Sequence, residues 1–253
     1  MQHDVAIIGG GPAACAAALT SRSLGFSVCV IASPGQKDRP TETAVPALPG
    51  LLRSLSASEA LAACEPCYGI VSAWGSTIPA FQPGITNPYG NPWFIHRSRF
   101  DTCLRKLACA HGAEWVAEEV RTLDHDQDGV SISTSNKTLR ARWAVIATGS
   151  SVSAARLTSQ KIQQFDSMIA FWAHLPTSYE ERLLRVEPTD FGWWYLCPAH
   201  GPGAFACFVT DPGTARKLRP NRWKLFSLPN EPVSSHQQQR DHPRIYVRDY
   251  GNK

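Results

Sequence analysis

Val5-Ala6-Ile7-Ile8-Gly9-Gly10-Gly11-Pro12-Ala13-Ala14 is the stretch whose reading decides the fold of this 253-residue chain. Its four leading apolar residues form the continuous run expected of a parallel strand buried on both faces. An alanine-rich helical stretch follows as far as Leu24, with Gly25 at its C-terminus. Val28-Cys29-Val30-Ile31 reads as a second buried strand. Strand, glycine turn, helix and strand make a βαβ unit, the setting in which a G-x-G-x-x-G pattern acquires chemical meaning. Gly9 permits the tight turn, and Gly11 removes the Cβ that would block a pyrophosphate. Ala14 takes the place of the third glycine, a small residue where helix meets strand. Beyond Pro12, Ala13 and Ala14 bring free amides and the positive end of the helix dipole to the phosphates. A dinucleotide site at Gly9, Gly11, Pro12, Ala13 and Ala14 is the expectation.

The end of the second strand departs from this fingerprint. A carboxylate usually stands there to accept hydrogen bonds from the ribose hydroxyls, and this chain has Ala32, with Ser33 the nearest substitute. Ser33, Lys37 and Arg39 together suit the 2′-phosphate of NADP instead. An NADP-binding oxidoreductase therefore stays open as an alternative.

Composition sets the outer bounds. Hydrophobic residues make up 43% of the chain, enough for a real core, and charged residues only 18%, which excludes a coiled coil or a charged tail protein. The net charge of +4 is concentrated late: residues 216–253 hold nine of the 25 basic and three of the 21 acidic residues. That segment is rich in proline and contains Gln237-Gln238-Gln239, so it reads as a poorly packed tail. It lacks aromatics interleaved at helical spacing, and no nucleic-acid partner is expected. No apolar run reaches the roughly 18 residues of a membrane span, and Met1-Gln2-His3-Asp4 lacks the basic start of a signal peptide. A cytoplasmic protein with reduced core thiols is expected from its eight cysteines. Cys64-Glu65-Pro66-Cys67 stands alone, without the second pair a zinc site needs, so no metal is expected.

Further along, Phe100, Cys103, Leu104 and Leu107 give one apolar face to a helix over 99–111. Strands are expected at 114–122, 129–135 and 138–147. Leu183–Val186, Trp193–Cys197 and Ala204–Thr210 are rich in strand formers and would build an antiparallel sheet. Alternation sends Trp193 and Tyr195 to one face and Trp194 to the other.

Several segments in this order resemble the p-hydroxybenzoate-hydroxylase-like FAD flavoproteins, within them the branch of tryptophan halogenases and of the flavoprotein hydroxylases that mature tryptophylquinone enzymes. Thr41-Glu42-Thr43-Ala44-Val45-Pro46 resembles the branch's Gly-Glu-Ser/Thr-x-x-Pro element beside the flavin, which implies a cofactor contact for Glu42. Tyr68–Ser76 is similar to a strand of the maturation flavoproteins. Phe94-Ile95-His96-Arg97-Ser98-Arg99-Phe100-Asp101 resembles the Asp-Arg-x-x-Phe-Asp segment, whose arginine, here Arg97, contacts FAD. Glu119-Val120 resembles the strand that packs on adenine. Ala141–Gly149 resembles the strand whose end, here Ala147 and Gly149, passes near the cofactor. Gly192-Trp193-Trp194-Tyr195 resembles the sheet over the flavin, which makes Trp193 and Tyr195 candidate substrate contacts.

The resemblance implies an α/β fold: a Rossmann-like FAD/NAD(P)-binding domain over 1–160 with inserted strands, a partial substrate-domain antiparallel β-sheet over 161–215, and the basic tail over 216–253. It implies FAD as cofactor, NADPH or NADH as candidate electron donor, and monooxygenase chemistry through a flavin C4a-hydroperoxide on a small-molecule or peptidyl aromatic, tryptophan-type substrate. No catalytic residue is assigned, because this chemistry asks of the protein chiefly positioning and exclusion of water. Halogenation is disfavoured, since the lysine it requires has no counterpart between Lys37 and Lys106. The family's late Gly-Asp-Ala motif is also missing, and Gly-Asp occurs nowhere in the sequence. A truncated relative is the expectation, and a catalytically inactive remnant or weak nucleotide binder remains the competing reading.

Overall fold

In the computed structural model the opening apolar run forms strand β1 (Gln2–Ile8), the alanine-rich stretch helix α1 (Pro12–Ser23) and the second run strand β2 (Val28–Ile31). The structure describes residues 2–35, 39–76, 78–149, 153–158, 163, 165–176, 179, 181–199, 201–218 and 245–249. Next along the chain come β3 (Thr41–Ala44), α2 (Leu48–Ser54), β4 (Cys64–Pro66), β5 (Gly69–Ser72), β6 (Ala80–Pro83) and β7 (Trp93–His96). They are followed by α3 (Arg97–Ala110), β8 (Glu114–Val116), β9 (Val120–Asp126), β10 (Gly129–Thr134), β11 (Thr138–Ile146) and α4 (Ser153–Thr158). The last elements are β12 (Ile169–Leu175), β13 (Leu183–Thr189), β14 (Gly192–Pro198), β15 (Ala204–Thr210), α5 (Pro212–Leu218) and β16 (Ile245–Asp249). The chain divides into two compact units. The first holds Met1–Arg39, Ala47–Cys64 and Arg97–Gln163; the second holds Pro40–Pro46, Glu65–His96 and Gln164–Lys253.

The first unit is built on a six-stranded sheet in the order β8-β2-β1-β11-β10-β9. β8, β2, β1 and β11 run parallel, and β10 and β9 return antiparallel. This is the Rossmann-like arrangement expected, with an antiparallel flank. One face packs Ala6, Ile8, Cys29, Ile31, Val116, Ile132 and Leu139 into a common core. Helix α1 lies close on the sheet because its buried positions are small: Ala14, Cys15 and Ala18 are wholly buried. α3 buries Phe100, Leu104 and Leu107, the expected stripe, and begins at Arg97, two residues earlier than its apolar pattern alone suggests.

The second unit contains a three-stranded sheet, β3-β7-β4, and a seven-stranded sheet in the order β16-β12-β15-β14-β13-β5-β6. β13, β14 and β15 pair antiparallel, as expected, and the larger sheet is antiparallel throughout except where β5 joins β13 in parallel. Alternate residues serve two cores. Ile169, Phe171, Ala173, Leu196, Ala206 and Phe208 fill one. Trp172, Cys197, Phe205, Cys67 and Phe94 fill the other.

β12 and β16 are among the strands not expected from the sequence. β12 is buried on both faces, so its residues form an apolar run without the alternation that marks a half-exposed strand. β16 falls in the segment read as an unpacked tail, and it pairs antiparallel with β12. Ile245-Tyr246-Val247 are strong strand formers, and pairing covers an edge that β12 would otherwise leave open. Among the described residues, no helix is long and apolar enough to cross a membrane.

Candidate functional site

The turn after β1 is built from backbone. Gly9 adopts φ +127°, a conformation that L side chains rarely adopt, and a Cβ there would overlap the Ala147 carbonyl group. Its amide donates to the Ile31 carbonyl at 2.9 Å, while the Ala147 amide donates to the Ile8 carbonyl at 2.8 Å. The turn is thereby pinned to the ends of β2 and β11. Gly11 differs: no atom lies within 4 Å of the place a Cβ would take. It is also the N-cap residue of α1, in extended conformation, with Pro12 opening the helix and no side chain capping it. Bare amides at the start of a 12-residue helix, beside open space, are the elements of an anion cradle. Ala13 is exposed and Ala14 wholly buried, so Ala13 lies on the open side and Ala14 on the packed one.

The sequence reading credited Gly9 and Gly11, and the structure adds Gly10. A Cβ on Gly10 would stand 2.9 Å from the Ala32 methyl and 3.3 Å from the Trp115 ring. Trp115, on edge strand β8, thus lies beside Ala32, at the strand end where the fingerprint usually carries a carboxylate. The Arg105 guanidinium sits 4.7 Å over the centroid of its ring, a cation–π contact that holds the indole against α3. Neither residue was singled out from the sequence, because each belongs to an element far along the chain from the turn it adjoins.

Arg97, the resemblance's flavin contact, is buried and forked onto Asp101. Its Nε and Nη2 donate to the two carboxylate oxygens at 3.1 and 3.0 Å. Arg39 approaches the same carboxylate at 3.8 Å, so this base of the NADP reading has an acidic partner of its own. Lys37 lies outside the described residues, and Ser33 is exposed. Val120 opens β9, partly buried against the first unit's core. Gly149 has φ +63° with nothing within 4 Å of its missing Cβ. Glu118, two residues before Val120, accepts hydrogen bonds from the Thr134 hydroxyl and the Asn136 amide, which hold its carboxyl below the usual range.

The remaining assigned residues lie in the second unit. Glu42 is half-buried on β3, opposite Ile95 of β7. His96 is buried, and its Nε2 lies 3.1 Å from Glu65, whose other oxygen faces Arg182 at 3.4 Å. A carboxylate thus faces this imidazole. On β14 the expected alternation is seen: Trp194 packs on Phe208 with ring centroids 4.8 Å apart, while Tyr195 packs on the opposite core with Cys67 and Cys197. Burial raises the Tyr195 phenol well above its ordinary range, against a smaller opposing pull from its hydrogen bond with Thr43. Trp193 is half-buried on the same strand. Cys64 and Cys67 point to separate carbonyls, those of Ala60 and Gly69, as two independent thiols. An open recess of about 450 Å³ lined by Tyr68, Ile85, Asn87 and Asn91 contains none of the residues the resemblance assigns.

The sequence model of the pyridine nucleotide-disulphide oxidoreductases matches residues 3–171. LodB of Marinomonas mediterranea, described as an FAD-dependent oxidoreductase, is 22% identical over 97% of this chain and 72% of its own. Among solved structures, the peptidyl tryptophan dihydroxylase QhpG, essential for tryptophylquinone cofactor biogenesis, superposes with a TM-score of 0.68 at 18% identity over 98% of this chain. The flavin-dependent brominase Bmp2 does so with a TM-score of 0.77 at 19% identity over 98%. The chain spans 56% of the length of the dihydroxylase and 67% of that of the brominase. A geranylgeranyl bacteriochlorophyll reductase-like protein of Thermoplasma acidophilum shares the fold too, with a TM-score of 0.71 at 16% identity over 87% of this chain and 62% of its own.

Proposed function

The chain belongs to the pyridine nucleotide-disulphide oxidoreductase family, and from that premise we propose that it is an FAD-dependent oxidoreductase of the monooxygenase type acting on an aromatic substrate. The observation that carries this reading is the backbone cradle, with Gly9 locked against Ala147 and Gly11 facing open space at an uncapped helix start. A dinucleotide's pyrophosphate fits that chemistry: it needs amide donors, the positive end of a helix dipole and no Cβ in its way. Gly9, Gly11, Ala13 and Ala14 would hold the diphosphate, Ala32 and Ser33 would border the adenosine ribose with Trp115 beside them, and Val120 would lie near the adenine. Ala147 and Gly149 would pass along the cofactor. Arg97, fixed in orientation by Asp101, would present a charged face along the flavin side, and Glu42 is proposed as a further cofactor contact. Bound flavin supplies the redox chemistry with oxygen. The chain's own residues orient it and exclude water.

Trp193 and Tyr195 are proposed as substrate contacts. Both stand on β14, Trp193 half-buried and Tyr195 packed against the core of Cys67 and Cys197. Hydroxylation is preferred to halogenation because no lysine stands between Lys37 and Lys106. The NADP-linked reading would require Arg39 to leave Asp101.

The visible spectrum of the purified chain tests the proposal. Flavin absorption at near one equivalent is the expected result. A folded, colourless protein that takes up no added FAD would overturn it, and tighter binding of NADPH than of FAD would replace it.

A further inference from the structure

Three ligand-type side chains meet at the opposite ends of the same parallel strands. His3 stands on β1, Cys29 on β2 and Glu114 on β8, which are neighbours in the sheet. Cys29 and Glu114 are partners in register. The amides of Asp4 and Val5 both donate to the Ser27 carbonyl, at 3.1 and 3.0 Å. Beside this pair of bonds the His3 imidazole meets Cys29 and Glu114. One ligand atom from each of the three residues lies within 4.8 Å of the other two. His3 Nε2 is buried without a hydrogen-bond partner among the described residues, and it lies 3.4 Å from Glu114 Oε2.

We propose that His3, Cys29 and Glu114 bind a divalent cation of the zinc class, with water as the fourth ligand. The donor set is one imidazole nitrogen, one thiolate and one carboxylate, the mixture that a borderline-soft tetrahedral ion accepts. Bonds of roughly 2.0–2.3 Å place neighbouring ligand atoms about 3.3–3.8 Å apart in a tetrahedron, and the histidine–glutamate separation of 3.4 Å falls in that range. Cys29 is wholly buried, while the Glu114 side chain is 42% exposed and supplies the route of entry. Burial first, then the charge of Glu114, push the free thiol up to about 11, against a smaller opposing pull from Lys137. Binding therefore breaks the S–H bond, releases that proton to solvent and forms the sulfur–metal bond, with no change of oxidation state. Lys137 Nζ lies 3.9 Å from the other Glu114 oxygen and balances its charge. The ion would tie edge strand β8 to β2 and β1 and stabilise the sheet by mass action, independently of any flavin.

Cobalt(II) is the probe. The full chain, freed of metal with a chelator, is expected to bind one equivalent of cobalt with a thiolate-to-metal absorption band that added zinc abolishes. Cys29→Ser removes the band. Glu114→Gln, at the exposed end of the cluster, and His3→Asn are expected to weaken binding by more than the roughly 10- to 100-fold typical of losing an outer-shell partner. These two variants carry the test if Cys29→Ser fails to fold. Absence of a thiolate band in the unaltered chain overturns the proposal and leaves an ordinary histidine–carboxylate pair. A band unchanged by Glu114→Gln and His3→Asn also overturns it, by locating the metal on other cysteines.

Discussion

The two ends of the parallel strands in the first unit solve opposite problems. At the carboxyl ends, Gly9 to Ala14 offer backbone amides and remove side chains, so the site is made of what the residues lack. At the amino ends, His3, Cys29 and Glu114 converge from three separate strands, so that cluster is made only of side chains. A backbone cradle must be encoded by consecutive residues, because φ and Cβ volume are local properties. A side-chain cluster is encoded by register, which only the folded sheet reveals.

The largest expected effect separates the two glycines within the cradle. Gly9→Ala should destabilise the protein by about 3 kcal/mol, since it combines an unfavourable φ with a carbonyl clash. Gly11→Ala should cost under about 1 kcal/mol, as φ −88° suits any residue and the space is open. That second change should nevertheless weaken FAD binding tenfold or more. Urea unfolding alongside a flavin titration reads both quantities. Equal loss of stability in the two variants would mean that Gly11 serves packing and not a ligand.

Arg97→Ala should come next, at about 2–3 kcal/mol, because it takes the forked partner from the mostly buried Asp101 carboxylate and leaves the more distant Arg39. Arg97→Lys should recover less than half of that loss, since a lysine cannot reproduce the fork. Thermal unfolding of the two variants measures the difference. A full rescue by lysine would show that charge alone, and not orientation, matters here.

Legibility followed the same division. The βαβ unit, the α3 stripe at Phe100, Leu104 and Leu107, and the alternation of Trp193, Trp194 and Tyr195 were readable because each is periodic or contiguous. β12 was not, since burial on both faces erases the period-two pattern. Nor was β16, which forms by pairing with β12 from a segment of basic, proline-rich sequence. Gly10 was passed over because its need for a hydrogen atom comes from Ala32 and Trp115, not from its neighbours in sequence. Arg39 was read as a base suited to the 2′-phosphate of NADP and is found facing Asp101.

A smaller effect tests the missing ribose partner. Ala32→Asp supplies the carboxylate that the fingerprint usually carries, and one regained charged hydrogen bond should tighten FAD by about 1–1.5 kcal/mol, or tenfold. Fluorescence titration checks this. Unchanged affinity would mean that Trp115, packed beside Ala32 and held by Arg105, has already taken over that position.

The smallest effect lies at the amino ends and depends on pH. Asp4 accepts hydrogen bonds from the Ser27 amide at 2.9 Å and the Ser27 hydroxyl at 2.7 Å, with Arg142 at 3.4 Å. These contacts, led by the backbone amide, hold its carboxyl below the ordinary 3.8. A depressed folded-state value means that the stabilisation is fully present above the unfolded-state value and is lost as pH falls through the folded one. Asp4→Asn should therefore melt earlier than the unaltered chain near neutral pH, and the two melting curves should converge as the pH is lowered below about 4. The group is exposed to solvent, so added salt should narrow the gap as well. A gap that persists undiminished into strong acid would mean that Ser27 is held by shape rather than by charge. The meeting of His3 with Cys29 and Glu114 would then owe nothing to the ionisation of its neighbour.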